Sequence, residues 1–369
     1  MIQTRGDLSG HHDQQNHLIP VLKKTLSQIL KVAGFLALGI LLLYFAFRGI
    51  ALDSLLETLR EANFWWIGLS LVFALIAFLS RARRWVLLIE PLGYSPSFRN
   101  TYHSLMVGYL FNYALPRLGE VTRCVTLGKK EKIPVDSLIG TVIMERVFDL
   151  IMLLLILLVL LVGRMEKFGA FFSEQVIMPL QQKFEGTFGG ALLFWLLFAG
   201  SLAIVLMLLY FYRKRLDHFI VVRKSRDIIK GIIGGLKTFY QMKHKWEFVF
   251  HSFFIWFNYI MMTWVVVFAL RETSHLTFID GIFLLVVGGL GMAAPVTGGF
   301  GAYHWITSRG LVYVYGLPLE LGGAYAILTH ESNSLFTILL GAVSYTLILL
   351  SRKKESLNVS EDSPTKAEA

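Results

Sequence analysis

Thr141-Val-Ile-Met-Glu145-Arg146-Val-Phe-Asp149-Leu150 sets three charges inside a stretch, residues 137–162, that is otherwise apolar enough to cross a bilayer. At 1.5 Å per residue, Glu145 lies roughly 12 Å and Asp149 roughly 18 Å along such a helix. Each charge at that depth costs about 2.5–3.5 kcal/mol. Glu145 and Asp149 are spaced i,i+4 and share a face, with Arg146 beside them. The stretch therefore reads as an intramembrane polar site, and the other segments have to be examined for what they bring to it.

The composition agrees with a membrane chain. Of 369 residues 55% are hydrophobic and 16% charged, and the mean hydropathy is +0.60. That balance describes an all-α polytopic membrane protein rather than a soluble core. The net charge of +10 does not indicate nucleic acid, because the basic residues cluster between apolar segments as cytoplasmic loops do. A single cysteine, Cys124, excludes an internal disulfide and any cysteine-based metal cluster. No metal site and no cofactor are expected; His11, His12 and His17 sit in a polar tail, residues 1–28.

Six stretches are long enough to span: 29–47, 64–80, 137–162, 190–212, 248–270 and 322–350. Residues 101–116 are apolar but short, and stop at Pro116-Arg117-Leu118-Gly119-Glu120-Val121-Thr122-Arg123. Residues 278–294 likewise break at Pro295-Val-Thr-Gly298-Gly299-Phe-Gly301, before a second short stretch, 302–315. Each reads as a re-entrant pair of half-helices. Lys and Arg place both tails, 81–100, 117–132 and the basic loop 213–245 in the cytoplasm, leaving 48–63, 163–189 and 271–277 outside the inner membrane. The order span, span, re-entrant pair, span then occurs twice, in 29–162 and 190–350, with opposite orientation. This is an inverted repeat of the kind transporters use; eight full spans would be the alternative. Residues 351–369 form a second polar tail.

The motifs assign roles within that frame. Asn112, Pro116, Gly119, Pro295, Gly298, Gly299 and Gly301 mark breaks whose backbone groups are tolerable at membrane depth where they line a cavity. Arg117, Arg123 and Arg146 can hold a phosphate or phosphodiester through their forked donors. Glu120, Glu145 and Asp149, and His330 with Glu331 in the last span, would position those arginines or carry a coupling proton. The competing reading of the same residues is a structural network in which Arg146 pairs with Glu120 or Asp149. Arg81, Arg83 and Arg84 read as topogenic residues at the headgroups, and His103 and His304 as packed histidines. No GxSxG elbow, HExxH pair or P-loop occurs, so an enzyme is not expected; an intramembrane one would have to rest on Glu145 or His330.

The run Arg84-Trp85, Asn112…Pro116-Arg117-Leu118-Gly119-Glu120…Arg123, Glu145-Arg146…Asp149, with Pro295…Gly298…Gly301, resembles the flippase-like, lysylphosphatidylglycerol synthase transmembrane-region family over about residues 25–350. The resemblance implies a lipid translocator and leaves its cargo open among membrane lipids, an anionic phospholipid or a polyprenyl or glycolipid. The aminoacyl-transferase domain of true synthases has no counterpart in these residues, so lysylphosphatidylglycerol synthesis is not expected. The runner-up is a non-transporting membrane partner that presents lipid to a separate glycosyltransferase or lipid-modifying enzyme.

Overall fold

A computed structural model of the protein describes residues 37, 40–44, 48, 51–115, 118–174, 178, 242–294 and 296–361. The spans expected over 190–212 and most of 29–47, nearly all of the basic loop 213–245, and Pro116, Arg117 and Pro295 lie outside the described residues. Every described element is helical, and no strand occurs among them.

The first copy comprises α1 (Leu52–Glu61), α2 (Phe64–Ile89), α3 (Phe98–Ala114), α4 (Leu118–Glu131) and α5 (Val135–Phe172). The second comprises α6 (Lys245–Trp264), α7 (Phe278–Met292), α8 (Ala302–Tyr315) and α9 (Leu319–Glu361). Asn63 starts α2 by accepting from the Trp65 amide at 3.1 Å. Thr277 and Asp280 form a capping box at the start of α7. Three helical stretches, Phe64–Leu92, Lys245–Ala269 and Leu319–Ser351, are long and apolar enough to cross a membrane. The 38 residues of α5 extend about 57 Å, well beyond the length a fourth span needs.

Both broken pairs turn back to the level where they began. Asn100 on α3 donates to Glu131 at the end of α4 at 2.6 Å, and Tyr315 at the end of α8 donates to Asp280 at the start of α7 at 2.8 Å. With 17 and 14 residues, α3 and α4 extend only about 25 and 21 Å, short of a hydrocarbon core of about 30 Å. Gly119 on α4 sits so close to the Gly108 carbonyl on α3 that a Cβ would overlap it. The arms of the hairpin therefore meet backbone to backbone.

Packing repeats under exchange of α2 with α6, α3 with α7, α4 with α8 and α5 with α9. The pairs α3–α4 and α7–α8, α4–α5 and α8–α9, α2–α3 and α6–α7, α3–α9 and α7–α5 all touch, while α2 and α6 pack on each other at the centre. Leu118 and Val135 open α4 and α5, and Ala302 and Leu319 open α8 and α9, at the same interval in both cases. At that interval Glu120 falls on His304, Arg146 on His330 and Asp149 on Asn333.

The outward face of α5 carries Leu150, Leu154 and Leu158, exposed at i,i+4 spacing. In water so contiguous an apolar face would be a liability, whereas acyl chains cover it without loss. Its inner face carries Thr141, Glu145, Met152, Ile156 and Leu160, all buried.

Candidate functional site

Glu145 is the centre of the buried charge. Its Oε1 accepts from Arg81, and its Oε2 from Arg123 Nη1 at 3.0 Å. Asp149, one turn on, accepts from Arg84 Nη2 at 2.6 Å and from Arg81 Nη2 at 3.4 Å. Glu120 lies 2.9 Å from Arg146 Nη2 and 3.0 Å from Arg123 Nη2, the second without hydrogen-bond alignment. Four arginines thus face three carboxylates, an excess of one positive charge when all are ionised. Glu145, Arg81, Arg84 and Arg123 are almost wholly withdrawn from solvent; Arg146 is 46% exposed and Glu120 29%.

The surrounding helices hold these groups in place. Arg123 stacks over the Trp85 ring at 4.7 Å, Trp85 donates to Thr141 Oγ1 at 2.9 Å, and Arg81 Nη1 donates to the Tyr259 hydroxyl at 2.9 Å. Arg84 Nε and Nη1 and Arg123 Nε find no hydrogen-bond partner among the described residues. Guanidinium N–H groups only donate, so what is missing around them is an acceptor.

Arg81 and Arg84 correct the reading of their cluster as topogenic: they are buried within the network. Arg83 is the one that stays near the surface, pairing with Glu247 at 2.6 Å. A signal was present in the sequence. Ser70, Ala74, Ala77, Arg81, Arg84 and Leu88 form one buried stripe of alternating four- and three-residue steps, so the arginines share the face on which small residues let helices approach.

Other residues are placed as follows. Asn112 Oδ1 accepts from the Gly119 amide at 2.8 Å, filling one of the orphan donors at the start of α4. That amide is therefore already partnered from within the hairpin. His103 bonds Ser344 Oγ at 3.0 Å. His304 and His330 lie 3.1 and 3.0 Å from the Glu331 carboxylate, a second cluster on α8 and α9. A cavity of about 200 Å³ borders it, lined by Phe78, Tyr113, Gly288, Tyr303, His330 and Asn333 among others. Asn112, Gly119, Gly298, Gly299 and Gly301 do not line this cavity, nor do the arginines. The two clusters share no residue: the first draws on α2, α4 and α5, the second on α8 and α9.

Helices built to cross a bilayer, two broken hairpins and buried charge together define a multi-pass, all-helical membrane protein. The chain belongs to the lysylphosphatidylglycerol synthase TM region family, whose model matches residues 29–341. It is 24% identical over 335 residues to a UPF0104 membrane protein of Methanocaldococcus jannaschii, covering 89% of this chain and 96% of that relative. No solved structure matches the chain.

Proposed function

We propose that the protein moves an anionic or glycosylated lipid between the leaflets of the cytoplasmic membrane, with both termini on the cytoplasmic side. The observation that carries this reading is Arg146, half-exposed at the rim of an otherwise buried network beside the first break. Arg146 meets the lipid phosphate from the membrane side. Arg81, Arg84 and Arg123 supply the field behind it, and their unpartnered N–H groups favour an incoming acceptor. Glu120, Glu145 and Asp149 keep the guanidinium groups apart and oriented.

The cavity beside His330, about 200 Å³, is smaller than the roughly 300–1,000 Å³ of ordinary ligand pockets. Passage of a headgroup therefore requires the two copies to move against each other, as inverted repeats do in transporters.

The test is reconstitution into vesicles containing fluorescently labelled phosphatidylglycerol, with an impermeant quencher reporting the leaflet. Wild-type protein is expected to speed exchange, and Arg146→Ala to slow it by about tenfold or more, the effect of one charge-assisted hydrogen bond. Exchange at the wild-type rate in a folded Arg146→Ala protein would remove the assignment. Failure of both proteins to move any labelled lipid, with stable capture of a lipid-modifying enzyme, would favour the presenting-partner role instead.

A further inference from the structure

The cluster on α8 and α9 has a chemistry of its own. Glu331 Oε1 lies 3.1 Å from His304 Nε2 and 3.0 Å from His330 Nδ1, and the three ligand atoms all fall within 4.8 Å of one another. His330 is also held from behind, its Nε2 being 2.7 Å from the Gly298 carbonyl oxygen. A carbonyl can only accept, so Nε2 carries the hydrogen. In the neutral ring Nδ1 is then a lone pair, and it points at a carboxylate oxygen, another acceptor. Two acceptors facing each other at 3.0 Å need a cation with them.

Several features suit a metal ion in that role. Two imidazoles and a carboxylate are a donor set for a borderline divalent ion. A backbone carbonyl on the far nitrogen is the usual device that fixes the tautomer of a ligating histidine; here Gly298 supplies it from a left-handed position, φ +60°. Tyr303 stacks on the His330 ring at 4.8 Å and holds its plane. Ligands at about 2.0–2.1 Å around a tetrahedral ion stand about 3.3 Å apart, so the two pairs to Glu331 need to open by only tenths of an ångström, while the two histidine nitrogens, within 4.8 Å of each other, settle at the same spacing. His304 and His330 are buried while Glu331 is 31% exposed. That side leaves a way in and room for a fourth ligand such as water.

We propose that His304, His330 and Glu331 bind one divalent transition-metal ion, zinc fitting best, which staples the second break to α9. The registers support it. His304 and His330 stand where the first copy has Glu120 and Arg146. There opposite charges join the helices; here two imidazoles meet at one carboxylate, a donor set that an ion can join. This inference uses a cluster separate from the arginine network and does not depend on the lipid reading.

The experiment uses the full-length chain with His11, His12 and His17 replaced by alanine, so that the tail contributes no binding. The protein is stripped with a chelator and titrated with Zn²⁺ by calorimetry, then with Co²⁺ by visible absorption. One Zn²⁺ per chain and a tetrahedral Co²⁺ spectrum are expected. His304→Gln and Glu331→Gln, which keep side-chain size, should each weaken binding by roughly a hundredfold. Zn²⁺ should raise the melting temperature of the unmutated site and not that of Glu331→Gln. Absence of stoichiometric binding, or binding unchanged in both variants, would overturn the proposal and leave a proton between His330 and Glu331.

Discussion

Glu120 Oε1 lies 2.9 Å from Arg146 Nη2, joining α4 to α5 at the register where His304 and His330, ring centroids 5.1 Å apart, join α8 to α9. The first link is half-open to its surroundings, which limits what it contributes to stability. Exposed ion pairs contribute about 0.2–1 kcal/mol. In a double-mutant cycle, Glu120→Gln and Arg146→Gln are expected to couple by less than about 1 kcal/mol, read from thermal unfolding in detergent. A coupling of several kcal/mol would make Arg146 a structural keystone, and loss of transport in its variants could no longer be assigned to the headgroup.

Glu145 should behave in the opposite way. It is buried and answers Arg81 and Arg123 directly, so removing its charge strands guanidinium groups that have no water to turn to. Breaking a buried pair on one side costs about 3–5 kcal/mol. Glu145→Gln should therefore lower the melting temperature sharply. Glu247→Gln breaks the half-exposed pair to Arg83 and should change it little. Equal shifts in the two variants would contradict the burial of Glu145.

Much of this arrangement could be read in the sequence, because charge at membrane depth and apolar runs too short to cross are both expensive enough to stand out. Glu145, Arg146 and Asp149 announce themselves, and so do the breaks at Gly119 and Gly298. Arg81 and Arg84 were missed for a physical reason: arginines at the end of a span serve orientation in most chains, and charge counting cannot distinguish the inward face from the outward one. The stripe of Ser70, Ala74 and Ala77 carries that distinction, but only helix register exposes it. Arg123 illustrates the converse. Its type suits phosphate, yet stacking on Trp85 and pairing with Glu145 commit it to the interior. His304 looked like a packed histidine because its partners are distant in sequence; the match of register between copies is what brings it to His330.

The hairpin of α3 and α4 depends on the absence of a side chain at one point. A Cβ on Gly119 would overlap the Gly108 carbonyl and press on Asn112, which supplies the oxygen for the Gly119 amide. Gly119→Ala should therefore pry the two arms apart and reduce the yield of folded protein. Gly140, in α5, has open space at the same position. Gly140→Ala should be tolerated, and stabilising by about 0.5–1 kcal/mol through the usual helical preference for alanine. Size-exclusion profiles and melting curves of the two variants would check this. A monodisperse, wild-type-like Gly119→Ala would refute the close approach.

The return of each hairpin to its starting level makes a claim about sidedness. Asn100 meets Glu131, and Asp280 meets Tyr315, so each pair begins and ends at the same height. If the hairpins enter from opposite sides, the arrangement expected from the distribution of Lys and Arg in the sequence, residues flanking the first pair face the cytoplasm and those flanking the second face outward. The check is cysteine labelling in a Cys124→Ser background, with single substitutions Ser95→Cys, Lys132→Cys, Ser274→Cys and Pro318→Cys at exposed positions. An impermeant maleimide added to intact cells should modify Ser274→Cys and Pro318→Cys, and reach the other two only after permeabilisation. Labelling of Lys132→Cys but not Ser95→Cys in intact cells would mean that the first pair crosses the bilayer. The first pair would then be a full crossing, as the eight-span alternative has it, and the inverted relation between the copies, on which alternating access rests, would fail.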